Sequence, residues 1–344
     1  MKNPRGLRVS HDAFGLGHLR RTLTIAQRAA QALPGASVMV VTGSPCATQF
    51  RTPDGVELVK LPAATKDDGG AYVPRSMGSS LPRLLALRTG ITLEVLRSFR
   101  PHVCIVDHQP TGLAGELTEV LRVAKEQGCR TVLGLRDIID DPTTVAREWG
   151  RPEIRKALAS YDRICVYGSP RVFDQRVEYP IPPELAGRVE YVGYVLRPLR
   201  GGRFRVLPGV KPTVLVTTGG GADGRALLET YLDGIEREPP PWESVIVLGP
   251  LLDGACARRL KRRARQVDDV RVHTFYEDMP RLFTEASAVV SMAGYNSVVE
   301  VMAHERPLVL VPRTRPRQEQ LIRAQRLEKL GLARCLAEPT PSRL

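Results

Sequence analysis

The chain of 344 residues is long enough for two hydrophobic cores, since domains commonly run about 100 to 200 residues. Its composition, 42% hydrophobic and 25% charged, is that of an ordinary soluble protein. It has no run approaching the ~20 apolar residues that cross a bilayer and no signal-peptide core behind MKNPRGLRVSHD, so a cytoplasmic protein is expected. The net charge of +13 favours anionic partners, while six scattered cysteines without a C-x-x-C pair or a neighbouring His disfavour structural zinc and a disulfide framework.

In chain order, short β-branched runs at residues 7–11, 37–42, 56–61, 103–107, 131–136, 163–167 and 189–192 read as strands. Between them, residues 18–33, 81–99 and 115–127 carry apolar positions at helical spacing. This alternation predicts a parallel sheet with helices on its faces. Residues 196–212 are rich in Gly, Pro and Arg without a sustained period, and residues 199–211 are expected to link a first domain, 1–198, to a second, 212–344. The alternation then restarts, with strands at 213–217, 244–248, 271–274, 288–291 and 307–311. The fold class is therefore α/β, two doubly wound Rossmann-like domains facing a cleft. In such sheets ligands bind beyond the carboxyl ends of the strands. The dense basic run RRLKRRAR, residues 258–265, falls on a predicted helix. It is expected first as a solvated face, with peripheral contact to an anionic inner-membrane face as the alternative and no nucleic-acid partner.

Four strand-to-helix junctions carry candidate chemistry. The first, SHDAFGLGHLRR, contains Gly15 and Gly17, which let the backbone approach a ligand, and His18, whose imidazole is suited to take a proton from an attacking hydroxyl. A tight turn with His18 as a mere cap is the plainer reading; His11 is more simply a packing residue. The third glycine of a dinucleotide fingerprint is replaced by Arg20, which disfavours an oxidoreductase. The second junction, TTGGGADG, exposes N–H groups at Gly219, Gly220 and Gly221 that suit a phosphate, although an ordinary flexible turn would look the same. In the third, Gly294, Tyr295, Asn296 and Ser297 open a helix able to hold a pyrophosphate, and Glu300 could accept from ribose hydroxyls; Ser297-x-x-Glu300 equally spells a capping box. In the fourth, PRTRPRQEQ, Glu319 and Gln320 offer acceptors and donors to hexose hydroxyls, or simply face solvent.

The segment SMAGYNSVVEVMAHERPLVLVPRTRPRQEQLIRAQRLEKLG, residues 291–331, resembles the donor-binding domain of the family 28, lipid II N-acetylglucosaminyltransferase-like glycosyltransferases. GLGHLRR, VDHQP, LGLRDIIDDP and YDRICVYGSP are similar to a bacterial branch of predicted glycosyltransferases. The resemblance implies a GT-B fold in which Glu300 holds the ribose, Gly294 to Ser297 the pyrophosphate, and Glu319 with Gln320 the donor sugar, while His18 stands at the reaction centre. It leaves the acceptor side open, because Asp107, His108 and their neighbours replace a glycine-rich loop; Asp107, His108 and His11 are the acceptor-side candidates. The family's further C-terminal helices are not contained in this sequence, so a shortened second domain is expected. The implied activity is inverting, metal-independent transfer of a hexosyl group from a nucleotide sugar, UDP favoured, to a hydroxyl acceptor, without a cofactor. The alternatives are a nucleotide-sugar hydrolase, since G-x-G-H-x-x-R also resembles a UDP-sugar hydrolase, a sugar-nucleotide epimerase, and a non-catalytic nucleotide-binding relative.

Overall fold

The computed structural model describes residues 3–10, 17–67, 71–197 and 211–341. His11, Gly15 and all but residue 211 of the expected linker lie outside them. The chain divides into two compact units, residues 1–195 and 196–344.

In the first unit, β1 (Arg5–Ser10), α1 (Gly17–Ala32), β2 (Ser37–Thr42) and β3 (Val56–Lys60) are followed by a small antiparallel pair, β4 (Ala64–Lys66) with β5 (Tyr72–Pro74). Then come α2 (Leu81–Phe99), β6 (Val103–Asp107), α3 (Thr118–Glu126), β7 (Arg130–Arg136), α4 (Pro142–Trp149) and α5 (Pro152–Ala159). The unit closes with β8 (Arg163–Tyr167), the single turns α6 (Gln175–Glu178) and α7 (Pro183–Ala186), and β9 (Val189–Tyr191). The strands form one sheet of order β3-β2-β1-β6-β7-β8-β9, parallel throughout. α1 packs because Leu19, Leu23 and Ala26 recur at helical spacing and bury against Val38, Val40 and Val56. The β4–β5 pair and the short helices α4 to α7 are absent from the sequence reading, being too short to establish a period.

A close approach fixes the centre of this sheet. Tyr167 lies across Gly134, where an added Cβ would fall 2.0 Å from its hydroxyl oxygen and 2.5 Å from the ring carbon that bears it. Both residues belong to buried strands, so neither can yield without disturbing the sheet. Gly134→Ala is expected to destabilise the protein by about 1 to 3 kcal/mol, the usual cost of overpacking, seen as a lower urea midpoint at unchanged slope.

The second unit repeats the pattern with β10 (Thr213–Thr217), α8 (Arg225–Arg237), β11 (Glu243–Val247), α9 (Gly254–Ala264), β12 (Val270–His273) and α10 (Met279–Glu285). It continues with β13 (Ala288–Ser291), α11 (Tyr295–Ala303), β14 (Leu308–Leu310), α12 (Glu319–Lys329) and β15 (Arg334–Cys335). Its order is β12-β11-β10-β13-β14-β15, again parallel. In each sheet the chain winds outward from its first strand, then returns to that strand's other side. The crevice so created, between β1 and β6 and between β10 and β13, is where ligands bind in open α/β sheets.

Candidate active site

The second unit's crevice lies beyond Thr217 and Ser291, which are partners across β10 and β13. The glycine loop after β10 is not uniform in purpose. Gly221, at φ +95°, carries no side chain because a Cβ would meet the Leu248 carbonyl oxygen at 2.7 Å, so the backbone itself demands it. Gly219, at φ +68°, has only Ser297 Oγ at 3.4 Å in the place of a Cβ, which sets the loop against the first turn of α11. Gly220 meets Leu251 at an ordinary 3.6 Å. At Gly294 nothing lies within 4 Å of that place. No protein atom excludes a side chain there.

α11 begins at Tyr295 with Gly294 as its N-cap, and no side chain caps it. Ser297 is therefore the third helical residue rather than the cap, and the capping-box reading of Ser297 and Glu300 does not hold. Gly294 has no side chain with which to cap the helix, and the positive end of the helix dipole lies at this turn, a place that suits a phosphate. Glu300, only 7% exposed, accepts from Arg197 Nε at 2.8 Å and pairs with Nη2 at 2.7 Å. Both contacts fall on Oε1, and Oε2 takes no part in the Arg197 pair.

Glu319 and Gln320 open α12 and are buried, so they are not solvated helix surface. Arg313 organises them: Nη2 donates to Glu319 Oε1 at 2.5 Å, its backbone N–H donates to Gln320 Oε1 at 3.2 Å, and Nη1 reaches Asp223 of the glycine loop at 2.7 Å. Arg323, also buried, donates to the Ala293 carbonyl at 2.7 Å and ties α12 to the turn before α11. Arg197, Asp223, Arg313 and Arg323 were not among the sequence candidates. Arg313 stood within a quoted motif, but nothing local signals that an arginine will be drawn inward.

In the first unit, β1 and β6 end side by side, with Ser10 opposite Asp107. Gly17 is the first residue of α1 and His18 the second. His18 Nδ1 lies 2.7 Å from Asp107 Oδ2, and Asp107 is 1% exposed. A carboxylate only accepts, so this contact is a hydrogen bond in the tautomer that carries its proton on Nδ1, and Nε2 is then the ring nitrogen that would take one. Arg21, one turn further along α1, donates from Nε to Asp107 Oδ1 at 3.0 Å and from Nη2 to Oδ2 at 2.6 Å. Burial by itself would raise the Asp107 carboxyl, but the Arg21 charge and the hydrogen bonds from His18 and Arg21 hold it well below the usual carboxylate range. His108 follows at φ +68°, its ring centroid 5.2 Å from that of His18, with its Nε2 3.4 Å from Arg136 Nη2. Asp107 and His108 were expected as acceptor-side residues. The structure makes Asp107 the partner of His18.

The basic run on α9 is partly neutralised by α8: Arg259 pairs with Glu229, and Arg263 with Asp233 at 2.5 Å and Glu236 at 2.6 Å. Among the described residues, no helix is long and apolar enough to cross a membrane.

Residues 215–343 match the family model described as the glycosyltransferase family 28 C-terminal domain. A curated relative, the UDP-N-acetylglucosamine--N-acetylmuramyl-(pentapeptide) pyrophosphoryl-undecaprenol N-acetylglucosamine transferase of Anaplasma marginale, is 40% identical over 67 residues, 19% of each chain. The protein of the same description from Nitrobacter winogradskyi is 26% identical over 269 residues, 76% of this chain and 67% of that one. The chain thus spans about a fifth of the first relative and two thirds of the second. The fold is similar over 100% of this chain and 89% of the other to the crystal structure of the glycotransferase of kitacinnamycin, with TM-score 0.64 at 18% identity. It is the GT-B fold.

Proposed function

We propose, from the premise that this chain belongs to the family 28 glycosyltransferases through its C-terminal domain, residues 215–343, that it moves a hexosyl group from a UDP-sugar to a hydroxyl acceptor with inversion. The observation that carries this reading is the His18–Asp107 pair at the end of β1 and β6. A histidine whose Nδ1–H is held by a buried carboxylate has its other nitrogen directed as a base, the logic that serves hydroxyl nucleophiles in other hydrolases and transferases. The acceptor oxygen attacks the anomeric carbon as its proton passes to His18 Nε2. The bond from that carbon to the diphosphate oxygen breaks, and the nucleoside diphosphate leaves with the electron pair.

The donor side draws on the second unit. The start of α11, with its dipole and the glycine at its N-cap, and the turn from Gly219 would receive the diphosphate, Glu300 Oε2 a ribose hydroxyl, and the Glu319–Gln320 pair the sugar. The curated relatives' descriptions, which name UDP-N-acetylglucosamine as donor, favour uridine. The departing charge is supported by helix N–H groups in this account, so no metal ion is invoked. An acceptor at the membrane surface accords with the lipid-linked acceptor named for those relatives.

Thermal-shift titration with nucleoside diphosphates and nucleotide sugars tests the donor assignment. UDP and its sugars are expected to stabilise the protein by about 2.7 kcal/mol at a hundredfold excess over Kd. No response to any nucleotide overturns the assignment. Proton NMR of the product anomer tests inversion, and sugar release at the full rate without acceptor would make the enzyme a hydrolase.

A further inference from the structure

Arg21 has no part in the proton transfer as described, yet it is buried at the same carboxylate as His18. Its guanidinium meets both Asp107 oxygens, at 3.0 and 2.6 Å, and its Nη2 stands 3.0 Å from His18 Nδ1. Asp107 Oδ2 is thereby shared by the imidazole at 2.7 Å and the guanidinium at 2.6 Å. His18 and Arg21 are three residues apart on α1, hence on one face of the helix, and both reach across to β6. The Arg21 guanidinium also lies 5.7 Å from the ring centre of Tyr167, which limits its freedom on the other side.

Two donors on one carboxylate divide its lone pairs. The fork of Arg21 fixes the plane of the Asp107 carboxylate, because a guanidinium contacting both oxygens leaves it no rotation. With the plane fixed, the remaining direction on Oδ2 points at His18 Nδ1. We infer that Arg21 is a positioning residue that sets the tautomer and orientation of His18 through Asp107. This deepens the proposed role of His18 and rests on it for its effect on turnover, but its effect on the imidazole stands apart from any activity.

The test follows the full chain with its six histidines labelled at both ring nitrogens, using long-range proton–nitrogen correlation. In the unaltered protein the neutral His18 ring is expected to show one protonated Nδ1 and one unprotonated Nε2. In Arg21→Met the two nitrogens are expected to move toward a common averaged shift. Turnover should fall roughly 10- to 100-fold, by analogy with the loss of a partner that orients a metal-bound histidine, with the affinity for UDP unchanged. The acid limb of kcat/KM should move to higher pH, because burial raises the Asp107 carboxyl and without the Arg21 charge only His18 remains to oppose it. Arg21→Lys keeps the charge but supplies a point donor instead of a fork, and should recover the acid limb while leaving the nitrogens partly averaged. It also serves as the assay should Arg21→Met fail to fold.

A His18 nitrogen pattern and acid limb identical to the unaltered protein's in both substitutions would overturn the positioning role, even with His18 essential. Full turnover in His18→Ala would instead overturn the base assignment, while the nitrogen shifts would still decide the role of Arg21.

Discussion

His18→Ala is expected to lower the transfer rate by about 10² to 10⁴-fold, the usual worth of general-base help, while leaving the affinity for UDP within a factor of about two. The separation of the two effects follows from where the residues lie. His18 stands on α1 in the first unit, whereas the candidate donor residues Gly219 to Gly221, Gly294 to Ser297, Glu300, Glu319 and Gln320 all belong to the second. A mutation that removes only the proton acceptor leaves the second unit's helix dipole and its carboxylates as they were. Steady-state turnover beside calorimetric titration with UDP checks both numbers. Unchanged turnover removes His18 from the role, and a parallel loss of UDP affinity would mean that the histidine contacts the donor instead.

Asp107→Ala is expected to be the most destabilising single change at the site. It leaves the Arg21 guanidinium buried without its carboxylate, and breaking a buried ion pair from one side typically costs about 3 to 5 kcal/mol. The same residue sets a pH dependence. Because the folded protein holds the Asp107 carboxyl well below its usual range, its contribution is fully present above the unfolded carboxylate range, near pH 4, and is lost as pH falls through the lower folded value. Denaturant midpoints measured downward from pH 6 should therefore show an acid loss of stability in the unaltered protein that is diminished in Asp107→Ala. Equal acid sensitivity in both would assign that loss to other carboxylates. The substitution should also lower turnover in the fraction that remains folded, by no more than His18→Ala does, since His18 Nδ1 loses the acceptor that sets its tautomer.

How much of this was legible beforehand differs by kind of feature. The strands at 37–42, 103–107, 163–167, 213–217 and 288–291 were readable to the residue, because a buried parallel strand is a continuous apolar run bounded by polar or glycine junctions. Others missed by a residue or two at their ends. The hairpin Ala64–Lys66 with Tyr72–Pro74 was not readable, since three-residue strands carry no period. For Ser297 and Glu300 the local sequence allowed two accounts, and only the position of Gly294 as N-cap removed the capping box. Glu319 and Gln320, polar at a helix start, gave no sign that they would be buried under Arg313.

By itself the sequence determined the alternation of strand and helix, the glycine-rich stretches between them, and the titratable side chain that follows the first of those stretches. These are local matters, decided by period, φ and side-chain volume over a few residues. The tertiary structure alone decided the pairings: His18 with Asp107, 89 residues away, and Arg313 with Asp223, 90 residues away. The reason is the order of the strands. A doubly wound sheet sets its first strand beside one that comes late in the unit, so side chains distant in sequence meet at the crevice, and nothing in either local segment names its partner.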